Sequence, residues 1–88
     1  MSVNSGIKTA TNTPTTVGVA KGRTYLRLTN ESLDMRCRAG GANISNTAGI
    51  IIEPGQTVEF RSLPSENKEI YVMSEAKAVK LAYYEVIV

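Results

Sequence analysis

From about Thr16 onward the chain alternates between short runs of period two and clusters of turn residues. Thr24-Tyr25-Leu26-Arg27-Leu28-Thr29 places Leu26 and Leu28 on one side and Tyr25 and Arg27 on the other. Leu33 to Ala39 repeats the pattern, with Leu33, Met35, Cys37 and Ala39 opposite Asp34, Arg36 and Arg38. Successive side chains of a strand point to opposite faces, so each run predicts a half-buried strand. Gly49 to Phe60 predicts a hairpin: Ile50-Ile51-Ile52, a Pro54-Gly55 turn, then an alternating return with Val58 and Phe60 inward. The unbroken isoleucine run predicts a strand covered on both sides. Val17-Gly18-Val19-Ala20 reads as a short edge strand, and Glu69 to Ser74 as a strand with Ile70 and Val72 in the core.

The last run, Ala78 to Val88, is the longest. Val79, Leu81 and Tyr83 share one face, and Ala82, Tyr84 and Val86 the other. Apolar residues on both faces predict that the second face is also covered, by another copy. No stretch sustains a helical period. About seven short strands with turns every 8–12 residues indicate an all-β fold, a small antiparallel β-sandwich or barrel.

Residues 1–16 are rich in Ser, Thr and Asn and poor in large apolar side chains. They are expected to form an extended N-terminal arm on a sandwich domain of residues 17–88. Such a segment either frays or orders on a neighbouring subunit, with Val3 and Ile7 as anchors. Gly40 to Ala48 is the longest irregular segment and carries Asn43 and Ile44. It reads either as a contact loop or as a plain connection between two sheets.

Eighty-eight residues form one domain with a thin core. Domains of this size are commonly reinforced by disulfides, metals or oligomerisation. Cys37 is the single cysteine and histidine is absent, so an internal disulfide is impossible and a structural zinc site is not expected. Oligomerisation or docking on a larger body is the expected route. The net charge of +2 is divided unevenly. Residues 21–38 carry five basic and two acidic side chains, and residues 53–88 carry four basic and six acidic ones. The two halves could complement one another between copies. The first twenty residues lack a basic stretch followed by an apolar one, and no run is long enough to span a membrane, so no membrane is expected as a partner. The lone cysteine fits synthesis in a reducing cytoplasm.

Candidate chemistry is sparse, and neither catalysis nor a cofactor is expected. No base stands ready for a nucleophile, and Cys37 lies on the apolar face of its strand. The acids are spread singly along the chain, mostly beside Lys or Arg. Gly40-Gly41 lacks the lysine and the helix of a phosphate loop. Arg23, Tyr25, Arg27, Arg36 and Arg38 could share a basic sheet face of the kind that holds single-stranded nucleic acid. One tyrosine and no tryptophan make that face poor in stacking rings, and arginine suits protein contacts as well.

Arg23-Thr-Tyr-Leu-Arg-Leu-Thr-Asn-Glu-Ser32, a glycine loop, Gly49-Ile-Ile-Ile-Glu-Pro-Gly-Gln-Thr-Val-Glu-Phe60, Ile70-Tyr-Val-Met-Ser74 and a closing Tyr83-Tyr84-Glu85 strand resemble small β-rich structural virion proteins of tailed bacteriophages. The resemblance covers roughly residues 23–88. It implies a capsid decoration or cement subunit that acts by binding, located in the virion. The implied partners are the major capsid protein or other virion subunits, in a homo-oligomer for which a trimer fits. A multimer engaging several shell sites gains strength from effective concentration. The expected contacts are the arm (Val3, Ile7), the glycine loop (Asn43, Ile44) and the basic side chains Arg27, Arg36 and Arg38. The alternatives are a tail or fibre module that attaches to a host surface glycan through Tyr71, Tyr83 and Tyr84, and a small barrel that binds single-stranded nucleic acid.

Overall fold

The alternating runs form eight strands in a computed structural model that describes residues 1–88. They are β1 Ser2–Ala10, β2 Thr15–Thr16, β3 Arg23–Asn30, β4 Cys37–Gly40, β5 Ile50–Ile52, β6 Thr57–Arg61, β7 Tyr71–Ser74 and β8 Val79–Ile87. They lie in two four-stranded sheets, in the orders β1-β8-β3-β6 and β2-β7-β4-β5. Every pairing is antiparallel. The Cα trace spans 35 × 23 × 15 Å, and the short axis accommodates two layers about 10 Å apart. The all-β sandwich architecture is therefore present, with long strands in the first sheet and short ones in the second.

The core follows the inward rows. Ala10, Leu26, Leu28, Val79 and Leu81 of the long sheet meet Cys37, Ala39, Ile52 and Val72 of the short sheet. Val17 and Ile70 complete the cluster from its margin. Met35, Val58, Phe60 and Tyr83 pack against it while staying half-exposed. Each fully buried Leu or Val side chain contributes roughly 1.5–3 kcal/mol of transfer free energy. Four aliphatics from β3 and β8 thus form one wall of the core.

Residues 1–16 differ most from expectation. They contain β1, whose nine residues pair along β8 from Ser2 opposite Ile87 to Ala10 opposite Val79. They also contain β2, which pairs with β7. The long apolar-polar run of β8 presents an edge that needs backbone partners. A Ser- and Thr-rich segment supplies them, because hydrogen bonding in a ladder needs no apolar side chains. The expected arm is an integral edge of the sandwich, and no boundary at residue 17 separates it from the rest.

Three other expectations change. Val17 to Ala20 is not a strand: Gly18 turns the chain at φ 66° and the segment folds over the end of the sandwich. Leu33 is 98% exposed, because Asn30 and Ser32 build a turn through Asp34, and of the predicted run only Cys37, Arg38 and Ala39 become strand, in β4. The Pro54-Gly55 turn does not close a hairpin. Ile50–Ile52 pairs with β4 in the short sheet and Thr57–Arg61 with β3 in the long one, so the turn carries the chain between sheets. Ile50 is accordingly exposed and Ile51 half-buried at an edge. The true hairpin joins β4 to β5 through Gly41 to Gly49, with a bridge between Ser45 and Ala48.

Candidate interaction face

The outward rows of the long sheet assemble the largest set of unusual side chains. The registers align Val3 with Val86, Ser5 with Tyr84 and Ile7 with Ala82 across β1 and β8. They continue with Val86 opposite Tyr25 and Tyr84 opposite Arg27 across β8 and β3. They end with Tyr25 opposite Arg61, Arg27 opposite Glu59 and Thr29 opposite Thr57 across β3 and β6. One half of the face is apolar, from Val3 and Ile7 to Ala82, Tyr84 and Val86. Val3 is 50% exposed and Ile7 54%. The other half carries aromatic rings and charges.

Those rings and charges form a ladder. The Tyr25 and Tyr84 ring centroids lie 6.2 Å apart at 71°, an edge-to-face contact. The Arg27 guanidinium sits 4.9 Å above the Tyr84 ring and that of Arg61 5.0 Å above the Tyr25 ring. Both distances suit cation–π attraction. The Tyr25 hydroxyl donates to the Glu59 carboxylate, and this hydrogen bond holds the phenol above its usual pKa. One face of each ring is thereby occupied by a cation. No pocket opens in the molecule.

The opposite face of the same strands holds a buried polar knot. Arg23 and Glu85 form an ion pair at 3.0 Å, with side chains only 2% and 1% exposed. Arg23 Nη1 also donates to the Val17 carbonyl at 2.6 Å, and Nη2 to the Lys68 carbonyl at 3.0 Å. Glu85 accepts from the Val19 amide at 3.3 Å and from Asn4 Nδ2 at 3.4 Å. A Cβ on Gly18 would collide with the Glu85 carboxylate, so glycine is required there for space as well as for its φ of 66°. A bulge between Arg23 and Tyr25 lets Arg23 turn inward while Tyr25 stays outward. The knot therefore joins β1, the 17–19 turn, β3 and β8 at one end of the sandwich.

The remaining expected contacts scatter. Arg38 lies on β4 of the short sheet and Arg36 just before that strand, and both approach Glu75, at 3.4 and 2.9 Å. The Arg36 hydrogen bond, with Arg38 beside it, holds the Glu75 carboxyl below its usual pKa. Arg38 is buried and also reaches the Gly49 carbonyl at 3.3 Å. Asn43 is exposed at the hairpin tip, whereas Ile44 is buried and packs on Gly40 and Gly49. The five-residue basic face does not form, because Arg23 is inside, Arg38 is on the other sheet and Arg36 stands beside it, ahead of β4. Nor do Tyr71, Tyr83 and Tyr84 converge: Tyr83 points inward beside Gly6, and Tyr71 lies on the short sheet.

No family model, curated protein or solved structure matches this chain. The candidate site therefore stands on its geometry. Of the expected contacts, the structure brings Val3, Ile7 and Arg27 onto one face. Tyr25, Arg61, Tyr84 and Val86 join them: Tyr25 and Tyr84 were candidates only in the nucleic-acid and glycan readings, Val86 lay on the face expected to be covered by another copy, and Arg61 was not expected. Their outward positions follow from the period of two within each run, but their adjacency depends on registers between strands far apart in sequence. No group of three or more potential metal ligands clusters anywhere in the chain.

Proposed function

We propose that this chain is a structural binding subunit that docks on another protein through the outer face of its long sheet. In the fuller reading it is a capsid decoration or cement protein of a tailed bacteriophage virion, bridging neighbouring subunits of the shell. The observation that carries the docking part is the single face that joins Val3, Ile7, Ala82, Tyr84 and Val86 to Arg27 and Arg61. An apolar centre beside aromatic and arginine side chains is the composition of protein interfaces. The virion assignment draws on the sequence resemblance across residues 23–88, and a face without a pocket suits a broad shell surface. The attachment and nucleic-acid readings draw less support, since a guanidinium already covers one face of the Tyr25 and Tyr84 rings and Tyr71 and Tyr83 lie away from them.

The test is co-sedimentation of the purified protein with shells of its phage. The wild-type chain is expected to pellet with shells, and Tyr84→Ala and Arg27→Glu to stay in the supernatant while keeping the wild-type circular dichroism. Wild-type protein that ignores shells overturns the virion assignment. Face variants that bind as well as wild type overturn the docking face.

A further inference from the structure

The four edges of the two sheets are protected very unequally. β2 has two residues and β5 three, too short to template another strand. β6 has five residues, carries Glu59 and Arg61, and runs into the polar Pro64 to Lys68 segment. β1 has nine residues with no proline, no bulge and one charge, Lys8. Ser2 to Ile7 are exposed on both faces of that strand. A long, regular, weakly charged edge offers a full row of unpaired backbone groups.

The side chains of β1 specify what can pair there. In an antiparallel pairing about a two-fold axis perpendicular to the sheet, opposite residues share a face, so register is restricted to alternate steps. Only the register centred on Ser5 sets Val3 of one copy opposite Ile7 of the other. It does so twice, once on each side of the axis. The same register sets Lys8 opposite Ser2, so the strand's only charge meets no like charge, and it sets Asn4 opposite Gly6. Shifting by one step either way puts Val3 opposite Ser5 or Thr9, so neither neighbouring register gives both Val3 and Ile7 an apolar partner. A directly opposed aliphatic pair contributes about 0.2–1 kcal/mol.

We infer that β1 is a homodimer interface. Two copies join antiparallel edges about Ser5 to give a continuous eight-stranded sheet in the order β6-β3-β8-β1-β1-β8-β3-β6. The pairing also fuses the two apolar half-faces into one band at the centre of the doubled sheet. A seam of seven residue pairs, Ser2 to Lys8, lies at the small end of specific interfaces, so the dimer is reversible and concentration-dependent. The inference stands on the edge and is independent of what the outer face binds.

Sedimentation equilibrium of the full chain, from low micromolar to near-millimolar concentration, tests it. The wild-type mass is expected to rise from monomer to dimer. Ser5→Lys places two like charges against each other on the axis and is expected to weaken the dimer at least about tenfold. The same change on the opposite edge, Thr57→Lys, leaves the mass unchanged. Ser5→Cys, in a chain whose Cys37 is buried, is expected to give a disulfide-linked dimer on mild oxidation. That cross-link reports the register without relying on the folding of the lysine variant. A wild-type chain that stays monomeric throughout, a dimer indifferent to Ser5→Lys, an equal loss with Thr57→Lys, or no cross-link through Ser5→Cys would each overturn the assignment.

Discussion

β3 and β8 place arginine against β8 on both of their faces, with opposite consequences. Inside the sandwich, Arg23 meets Glu85 with both side chains almost fully buried. Outside, Arg27 lies over the Tyr84 ring beside water. The two β8 residues are neighbours in sequence. The inner pair has no water to replace a lost partner, so it is held by backbone carbonyls, an amide and Asn4. The outer pair can exchange its partner for solvent or for another protein with little loss. The same strands thus carry a fixed lock on one side and an adaptable surface on the other.

The largest break in that comparison is Glu85→Ala. It leaves Arg23 charged, buried and unpaired, and is expected to cost about 3–5 kcal/mol, seen as a shifted urea midpoint. The double change Arg23→Met with Glu85→Leu is expected to recover most of the loss, because no uncompensated charge is left. If Glu85→Ala alone were neutral, the knot would not be the lock described. Asn30→Ala comes next. Asn30 Nδ2 donates to the carbonyls of Met35 and Ile52 at 2.9 Å, and its Oδ1 accepts from the Ser32 amide at 2.8 Å. Removing it is expected to cost about 1–3 kcal/mol, read by the same denaturation.

Cys37 sharpens the contrast by reporting how dry the interior is. Burial pushes its thiol from an ordinary value of 9.0 up to about 11. Above about pH 9 the unfolded chain releases a proton that the folded chain retains. Stability is therefore fully present below that pH and falls as pH rises towards about 11. Denaturation across this range is expected to show the fall in the wild type and less of it in Cys37→Ala. The smallest effects belong to the surface. Arg27→Ala is expected to cost no more than about 1 kcal/mol of stability, measured by thermal melting, while weakening the proposed docking. Arg36→Ala, which breaks an exposed pair with Glu75, is expected to cost about 0–1 kcal/mol.

Much of the strand inventory was legible because the period of two is a local property. Thr24–Thr29, Thr57–Arg61, Glu69–Ser74 and Ala78–Val88 all contain strands where the alternation placed them. The shared faces of Leu26 with Leu28 and of Val79 with Leu81 followed directly, as did Val72 in the core, while which apolar face of β8 turns inward did not. β1 was not legible. Its strand character comes from backbone pairing with β8, and its Ser and Thr side chains resemble those of a loop. The assembly of the candidate face was missed for a related reason. Tyr84 and Arg27 are 57 positions apart along the chain, and only the register brings them opposite each other.

Local patterning therefore fixed the class: an all-β domain with short strands, glycine turns and no internal disulfide. Tertiary structure decided which strands pair. The Pro54-Gly55 turn looks like a hairpin locally. Asn30, however, accepts the Gly55 amide at 2.8 Å and donates its own amide to the Gln56 carbonyl at 3.0 Å, and these contacts draw the chain across to β3. Alternation fixes which side of a strand is apolar, because that depends only on neighbouring residues. Partner choice depends on which distant backbone edges and buried polar groups satisfy one another, and only the folded chain brings those together.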